Sequence, residues 1–309
     1  MKLSIPLGVL ALLISLTAIT SFAQVRPPGP SQDIQNDYER DASYRQKKIE
    51  GEDSLLKRDM ATAGPTLKLS KADLDRMKER RKIDPADVEK YSSFISGGNA
   101  GIFKLFPHMD CVNVTTLKTD GECAQFVPAS SFFSFRTKQY ADGLNSDVGL
   151  VVNEVFSAGF FSQGIFSSLG DVPIDKVALD SPGVKQLVDV QPETTFPGAK
   201  ALAARLRNGI KVDNFIYASH TKLEPDKTYI FRLLAYKLGN TIGMLPDDAP
   251  RIQSLFKELT VDKRVDSMIV FRVLRLGTDG AATIVWKELS RKDASKIKFA
   301  KDEPFADFK

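Results

Sequence analysis

The sequence has few of the residues that most often carry enzyme chemistry. Its 309 residues include two histidines, two cysteines and one tryptophan. Histidine-based acid–base or triad catalysis therefore depends on His108 or His220. The chain also lacks a Gly-x-Ser-x-Gly elbow, a P-loop, a dinucleotide fingerprint, a His-Glu-x-x-His motif, a zinc-type Cys/His cluster and an EF-hand loop. These absences predict no catalytic residue of a recognised type, no metal site and no cofactor.

Long apolar runs are also absent, except at the N-terminus. Lys2 is the only charge before Arg26, a short apolar block follows it, and Ser21-Phe22-Ala23 fits a small-x-small cleavage site. This order predicts a signal peptide over residues 1–23 and export to the periplasm or the extracellular space. The alternative is a retained N-terminal anchor, because Leu3 to Val25 is long enough to span a bilayer. After signal cleavage, no transmembrane segment is expected.

The chain has no large excess of charge of one sign. Its formal net charge is +4, which becomes +3 when Lys2 leaves with the signal peptide. The lysines and arginines are spread along the chain without a dense basic block, so nucleic acid is not an expected partner. The partner is not identified by composition, and the two kinds considered are an anionic small molecule and another envelope protein.

Both cysteines, Cys111 and Cys123, lie beyond the predicted signal peptide. Two nearby thiols in an oxidising compartment usually pair, and closing a loop of this length contributes roughly 3 kcal/mol by the chain-entropy estimate. We therefore predict a disulfide rather than a catalytic thiol or a metal thiolate. Asp120-Gly121 is a turn signal, so residues 111–123 are interpreted as a stapled, hairpin-like excursion. Asn113-Val114-Thr115 matches the N-glycosylation pattern, which applies only in a eukaryotic cell.

Composition divides the chain after the signal peptide into four regions. Residues 24–69 are polar and alternately charged, and they predict a disordered linker because they offer too little apolar surface to fold. Residues 70–96 predict a helical segment, residues 97–289 predict a β-rich globular domain, and residues 290–309 predict a charged tail. The linker is interpreted as a tether, a docking arm or a spacer.

Two helix-start signals lie in the helical segment. Ser70 with Asp73 resembles a capping box, and Asp84-Pro85 places proline at the first helical position. Both helices are charged. The apolar face of the second is expected to consist of Val88, Tyr91 and Ile95.

The β-rich region predicts an α+β fold with a largely antiparallel sheet and a few packed helices. The clearest hairpin joins 267–276 to 281–288 through Gly277-Thr278-Asp279-Gly280, and Ser157-Ala158-Gly159 is expected to make a second connection of this kind. Helices are expected at 195–209 and 247–259. The other expected strands are 101–106, 131–138, 148–157, 159–167, 173–179, 214–219 and 228–237.

A Phe-Arg dipeptide recurs within three of the predicted strands, where it places Arg136, Arg232 and Arg272. Alternation in a strand directs the phenylalanine to one face and the arginine to the other. If the strands share a sheet, the guanidinium groups could converge on an anion such as a carboxylate, phosphate or sulfate. The alternative is a solvated sheet face with surface ion pairs.

His220 follows a predicted strand, where site residues often occur, but the sequence around it completes no catalytic set. The candidate binding residues are therefore Arg136, Arg232, Arg272 and His220, and none is assigned as catalytic. The sequence predicts an exported, non-catalytic binding or interaction domain. The alternative is an envelope or extracellular hydrolase that uses carboxylates, because pairing of acidic groups depends on three dimensions.

Overall fold

Two five-stranded antiparallel sheets, two two-stranded antiparallel sheets and four α-helices make up the regular structure of the described part of this protein. The computed structural model describes residues 69–113, 116–141, 143, 145–236 and 262–300. The predicted α+β class with a largely antiparallel sheet is confirmed. The predicted signal peptide, nearly all of the predicted linker and the helix expected at 247–259 lie outside the described residues.

The helices are α1 Lys71–Arg81, α2 Pro85–Ile95, α3 Lys185–Asp189 and α4 Phe196–Asn208. The strands are β1 Ala100–Leu105, β2 Val112–Asn113, β3 Thr116–Leu117, β4 Phe132–Ser134, β5 Gln139–Tyr140, β6 Val148–Val151, β7 Glu154–Ser157, β8 Gln163–Gly170, β9 Ile210–Val212, β10 Phe215–Tyr217, β11 His220–Lys222, β12 Thr228–Tyr236, β13 Arg264–Leu276 and β14 Ala282–Ala294.

Sheet I has the order β1-β14-β13-β12-β8, and sheet II has the order β11-β7-β6-β4-β5. A short segment before β11 links them. Ala218 exchanges two backbone hydrogen bonds with Phe166 of sheet I, and the Ser219 carbonyl accepts from Ser157 of sheet II. The two sheets are therefore connected by main-chain bonds as well as by packing.

Both faces of sheet I are buried. All nine residues of β12 are buried, which is the pattern expected of a strand covered on both sides. One face packs against sheet II through an aromatic-rich core that includes Phe133, Phe166, Phe231, Phe271 and Trp286. The opposite face packs against α3 and α4 through Leu187 and Leu206. The described part of the chain thus has three layers, with sheet I in the middle.

The hairpin β13–β14 is the longest element of the fold. The Gly277 amide donates to the Ala281 carbonyl, and Gly280 has a φ of +74°, which a glycine adopts without strain. This confirms the predicted turn. The strands are longer than predicted, and residues 290–294 of the expected charged tail belong to β14.

Several predicted strands have different bounds, and one is wrong. Residues 173–179 contain a 3-10 turn, Ile174–Lys176, instead of a strand. Ile174 and Val177 are both buried, and their spacing of three residues suits one face of a 3-10 turn. The expected strand 148–157 is a hairpin of β6 and β7. Ser157-Ala158-Gly159 joins no hairpin, because β7 and β8 belong to different sheets.

Cys111 and Cys123 form the predicted disulfide, with Cα atoms 5.4 Å apart. The hairpin-like excursion is present as β2 and β3, although Asp120-Gly121 leads into a 3-10 turn instead of closing the hairpin. The disulfide agrees with folding in an oxidising, exported compartment. Among the described helices, none has both the length and the apolar character needed to cross a membrane.

Candidate functional site: a charged cleft beside the first helix pair

A cleft of about 410 Å³ lies between the α1–α2 turn and one end of sheet I. This volume falls within the range of small-molecule sites. Charged side chains of both signs dominate its walls. The lining residues are Glu79, Lys82, Ile83, Asp84, Pro85, Lys104, Arg275 and Thr283.

Three strands of sheet I supply the floor of the cleft. Lys104 of β1 and Arg275 of β13 both pair in register with Thr283 of the central strand β14. Residues directly opposite one another in an antiparallel sheet project from the same face. The three side chains therefore form one row, in which the Thr283 hydroxyl lies between Lys104 and Arg275. The two strands that carry these cations, β1 and β13, are about 10 Å apart.

The helix α2 is anchored to this row by an ion-pair network. The Arg275 guanidinium lies 3.0 Å from Asp84 and 2.6 Å from Asp87. The Ala86 backbone amide and then Arg275 lower the pKa of Asp84, and the Asp87 hydrogen bond raises the pKa of Arg275. Asp87 of α2 is buried and Val88 is exposed. The prediction that Val88 belongs to the packed apolar face of this helix is therefore wrong. Tyr91 and Ile95 do pack against the domain, as predicted.

The helix α1 is held mainly by two arginines and has no buried residue. The Arg81 guanidinium lies 3.8 Å from the centre of the Tyr140 ring, and its Nε donates to the Ser130 hydroxyl at 2.8 Å. Arg80 lies 2.5 Å from Asp279, in the turn of the β13–β14 hairpin. The predicted Ser70 cap is present, because the Asp73 amide donates to the Ser70 hydroxyl.

Lys104 is the cation of the cleft that is least compensated by an ion pair. Lys82 lies 2.5 Å from Glu79, and Arg275 is held by two carboxylates. The Lys104 Nζ donates to the Arg80 carbonyl at 3.4 Å. No salt bridge joins Lys104 to a carboxylate within the part of the chain that the structure describes, although its charge, after the Ala86 amide and Arg275, also lowers the pKa of Asp84. Its ammonium group and the Thr283 hydroxyl are therefore suited to an anionic group.

The three arginines of the Phe-Arg pattern do not converge. Their phenylalanines, Phe135, Phe231 and Phe271, all join the core between the sheets, as alternation predicts. Arg272 pairs in register with Thr228, Arg232 lies within β12, and Arg136 donates to the carbonyl of Tyr236. The three guanidinium groups therefore lie beside positions 228, 232 and 236 of β12, and neighbouring positions in this series are four residues, or about 13 Å, apart.

Each of these guanidinium groups is engaged within the fold. Arg232 is 1% exposed and forms a two-bonded pair with Asp266, with Nε–Oδ1 and Nη2–Oδ2 distances of 2.9 and 2.8 Å. Arg136 pairs with the fully buried Asp147. Arg272 pairs with Asp171, whose pKa it lowers. The geometry assigns these arginines to structural ion pairs instead of one shared anion site.

His220 begins β11 at the edge of sheet II and is buried. Its Nε2 lies 3.5 Å from Glu154. The other histidine, His108, packs its ring 5.3 Å from that of Phe132. Neither lines the cleft, and the structure does not bring His220 together with the three predicted arginines.

Sequence reasoning did not find the floor of the cleft. Lys104 lies far from Arg275 and Thr283 in the chain, and its place beside them follows from the pairing of β1 with β14. The available signal was the predicted hairpin of β13 and β14, in which Arg275 and Thr283 pair with each other. Asp84 was identified only as a helix cap, and the structure adds its ion pair with Arg275.

The chain matches no protein-family model, and no curated protein or solved structure resembles it. No group of three or more His, Cys, Asp or Glu side chains suited to a metal ion occurs in the described ranges. The assignment of the cleft as a candidate site therefore rests on the geometry of its residues.

Proposed function

We propose that this protein is an exported, non-catalytic binding domain that takes a small anionic molecule in the cleft beside the α1–α2 turn. One observation carries the proposal: Lys104 and Thr283 stand next to each other on the floor of a cavity of ligand size. The floor belongs to a sheet that is buried on both faces. Side chains on such a rigid support are held in place before the ligand arrives, which lowers the entropy cost of binding.

The compartment is part of this proposal. The N-terminal pattern of charge, apolar block and cleavage site supports export, and the disulfide supports an oxidising destination. The periplasm and the extracellular space both fit these features.

Binding is favoured over carboxylate-based hydrolysis by the state of Asp84, one of the two carboxyl groups that line the cleft. A general acid needs a carboxyl that retains its proton near neutral pH. The cleft carboxyl Asp84 instead has a lowered pKa because of the Ala86 amide and Arg275. Such a carboxylate stays ionised and serves to orient Arg275.

The test is calorimetric titration of the full chain with sodium phosphate and sodium citrate, against sodium chloride at matched ionic strength. We expect saturable binding of at least one of the two oxyanions. Replacing the ammonium group by Lys104→Met removes a charged hydrogen bond and weakens binding by about tenfold. Lys200→Met alters an exposed lysine on α4 and serves as the matched control, with unchanged binding.

Absence of saturable binding to wild-type protein would contradict the proposal for these anions. Equal affinity of Lys104→Met and wild type would remove the assigned site. Chemical-shift mapping on wild-type protein gives an independent readout, with shifts expected at residues 82–85, 104 and 283. Shifts confined to other regions would also contradict the cleft assignment.

A further inference from the structure

Arg264 is a buried arginine at the first position of β13, on the helix-facing side of sheet I. It is 1% exposed, comparable to Arg232 on the neighbouring strand. Its Nη1 donates to two backbone carbonyls, those of Glu193 at 2.7 Å and Ser295 at 3.2 Å. These bonds fix the orientation of the guanidinium plane.

Arg232 shows how the fold accommodates a buried guanidinium group. Its Nη1 also donates to two backbone carbonyls, those of Leu187 and Val190. Its other edge, formed by Nε and Nη2, binds both oxygens of Asp266. This is the fork geometry in which arginine recognises a carboxylate.

Arg264 repeats this arrangement without the carboxylate. Neither its Nε nor its Nη2 has a hydrogen-bond partner among the residues that the structure describes, although both atoms are buried. These two atoms make up the same fork that Arg232 uses. Leaving charged donors unpaired in the interior costs several kcal/mol, so a group that fills the fork would stabilise the folded state.

The surrounding charge also favours an anion. Arg232 and Arg264 are both buried, and Asp266 is the single buried carboxylate beside them among the described residues, while the half-buried Glu193 adds a second negative charge near Arg264. Lys292 lies 3.6 Å from Asp266 and adds a further positive charge at the surface. Burial lowers the pKa of Arg264, as expected for a cation that is incompletely compensated.

We propose that the Nε–Nη2 edge of Arg264 is a binding site for the carboxylate group of a small ligand. This site is separate from the cleft, and it does not depend on the proposed function of the cleft. The two carbonyls hold the guanidinium so that the fork is already oriented. A carboxylate matches the fork with two parallel hydrogen bonds, as Asp266 does on Arg232.

Two short segments cover this site, and both contribute a carbonyl to Arg264. They are the segment before α4 and the segment after β14, which contain Glu193 and Ser295. Two backbone hydrogen bonds join them: Lys298 donates to Thr194, and Phe196 donates to Lys298. Because this connection is short, we expect a small carboxylate to enter by local opening of these segments and not by unfolding of sheet I.

The experiment uses the full chain and sodium acetate as the probe, with sodium phosphate and sodium chloride at matched ionic strength. Arginine Nε–H and backbone amide resonances are followed by two-dimensional ¹H–¹⁵N NMR, and the affinity of wild type and of each variant is taken from the backbone amide titration. We expect acetate to shift the Arg264 Nε–H resonance saturably. Arg264→Lys keeps the charge but loses the fork, and should weaken acetate binding by about tenfold.

Arg291→Lys is the matched control. Arg291 lies on the adjacent strand β14, and its Nε and Nη2 already bind Glu288. Acetate affinity should therefore be unchanged in Arg291→Lys. The Arg264 Nε–H resonance reports on this site alone, which separates it from the cleft.

Three results would overturn the proposal: no saturable shift of the wild-type Arg264 resonance, equal acetate affinity in Arg264→Lys and wild type, or a preference for phosphate over acetate. The wild-type titration stands on its own if Arg264→Lys fails to fold, because the Arg264 resonance can be assigned by triple-resonance methods.

Discussion

The guanidinium groups of Arg232 and Arg136 each bind backbone carbonyls together with a carboxylate. Arg232 binds Leu187 and Val190 through Nη1 and Asp266 through its fork. Arg136 likewise combines backbone carbonyls with the buried Asp147. The carbonyls compensate part of the desolvation that burial imposes on the cation, and the carboxylate supplies the rest.

The first prediction concerns the Arg232–Asp266 pair. Asp266→Asn leaves a buried guanidinium beside a neutral amide, so we expect a loss of about 3–5 kcal/mol in the free energy of unfolding. Urea denaturation monitored by circular dichroism measures this loss. Asp189→Asn, at an exposed pair with Lys185 on α3, should change stability by less than about 1 kcal/mol. Similar effects of the two variants would show that burial does not govern the pair.

The second prediction concerns pH and the contact of Arg80 with Asp279. Burial alone would raise the pKa of Asp279, but the Arg80 hydrogen bond and the Ala281 amide outweigh it and lower the pKa. A lowered pKa in the folded state gives stability that is present above about pH 4 and is lost as the pH falls through the folded value.

Asp279→Asn should therefore reduce stability near neutral pH by up to about 1 kcal/mol, and the difference from wild type should vanish well below pH 4. Unfolding free energies across this range measure the difference. Asp175→Asn, at an exposed aspartate, should show no such pH-dependent difference. A constant deficit for Asp279→Asn at all pH values would contradict the assigned ion pair.

At the scale of elements, sequence patterns predicted elements with strong local signals and missed those defined by packing. The cap at Thr195 and the glycine at Gly209 bound α4 where expected. The glycine-containing turn likewise identified the β13–β14 hairpin. By contrast, α3 is only five residues long and has no side-chain cap, so no periodic signal marks it. The 3-10 turn at Ile174 was mistaken for a strand because its apolar residues are too few to distinguish the two periods.

Local sequence patterns also limited what could be predicted of the buried arginine pair and of the cleft. Phe-Arg alternation correctly directed Phe231 and Phe271 to the core between the sheets. It could not identify Asp266 as the partner of Arg232, since that contact depends on packing across two strands. Lys104 and Thr283 became neighbours only through strand pairing.

The third prediction concerns the hairpin of β6 and β7. Val152 lies at its tip with a φ of +55° and is 63% exposed. A β-branched residue in this left-handed region is strained by about 1–2 kcal/mol, and asparagine tolerates the region better. Val152→Asn should therefore raise the unfolding free energy by about 1 kcal/mol.

Thermal and urea unfolding of Val152→Asn measure this gain. Val212→Asn is the matched control, because Val212 is also exposed but lies in the extended strand β9. It should give no stabilisation, since asparagine is a poor strand residue. An equal gain in both variants would point to a general surface effect and not to relief of backbone strain.

At the scale of the whole molecule, the described chain combines two large cores with one small stapled region. Sheet I is buried between sheet II and the helices, so its central strands depend on contacts from both sides. The segments on either side of the disulfide loop instead contribute Phe106 and Val127 to a small cluster with Ala281, to which α1 adds Met77. A region with so small a core gains proportionally more from a covalent link.

The fourth prediction follows from this difference. Replacing both cysteines, Cys111→Ala with Cys123→Ala, should lower the unfolding free energy by roughly 3 kcal/mol, the chain-entropy value for a loop of this length. Urea denaturation with and without reductant measures the change. Reductant should destabilise wild type by a similar amount and leave the double variant unaffected. If thiol labelling shows that reductant has freed both cysteines and wild-type stability is unchanged, the disulfide contributes nothing to the free energy of unfolding and the prediction is wrong.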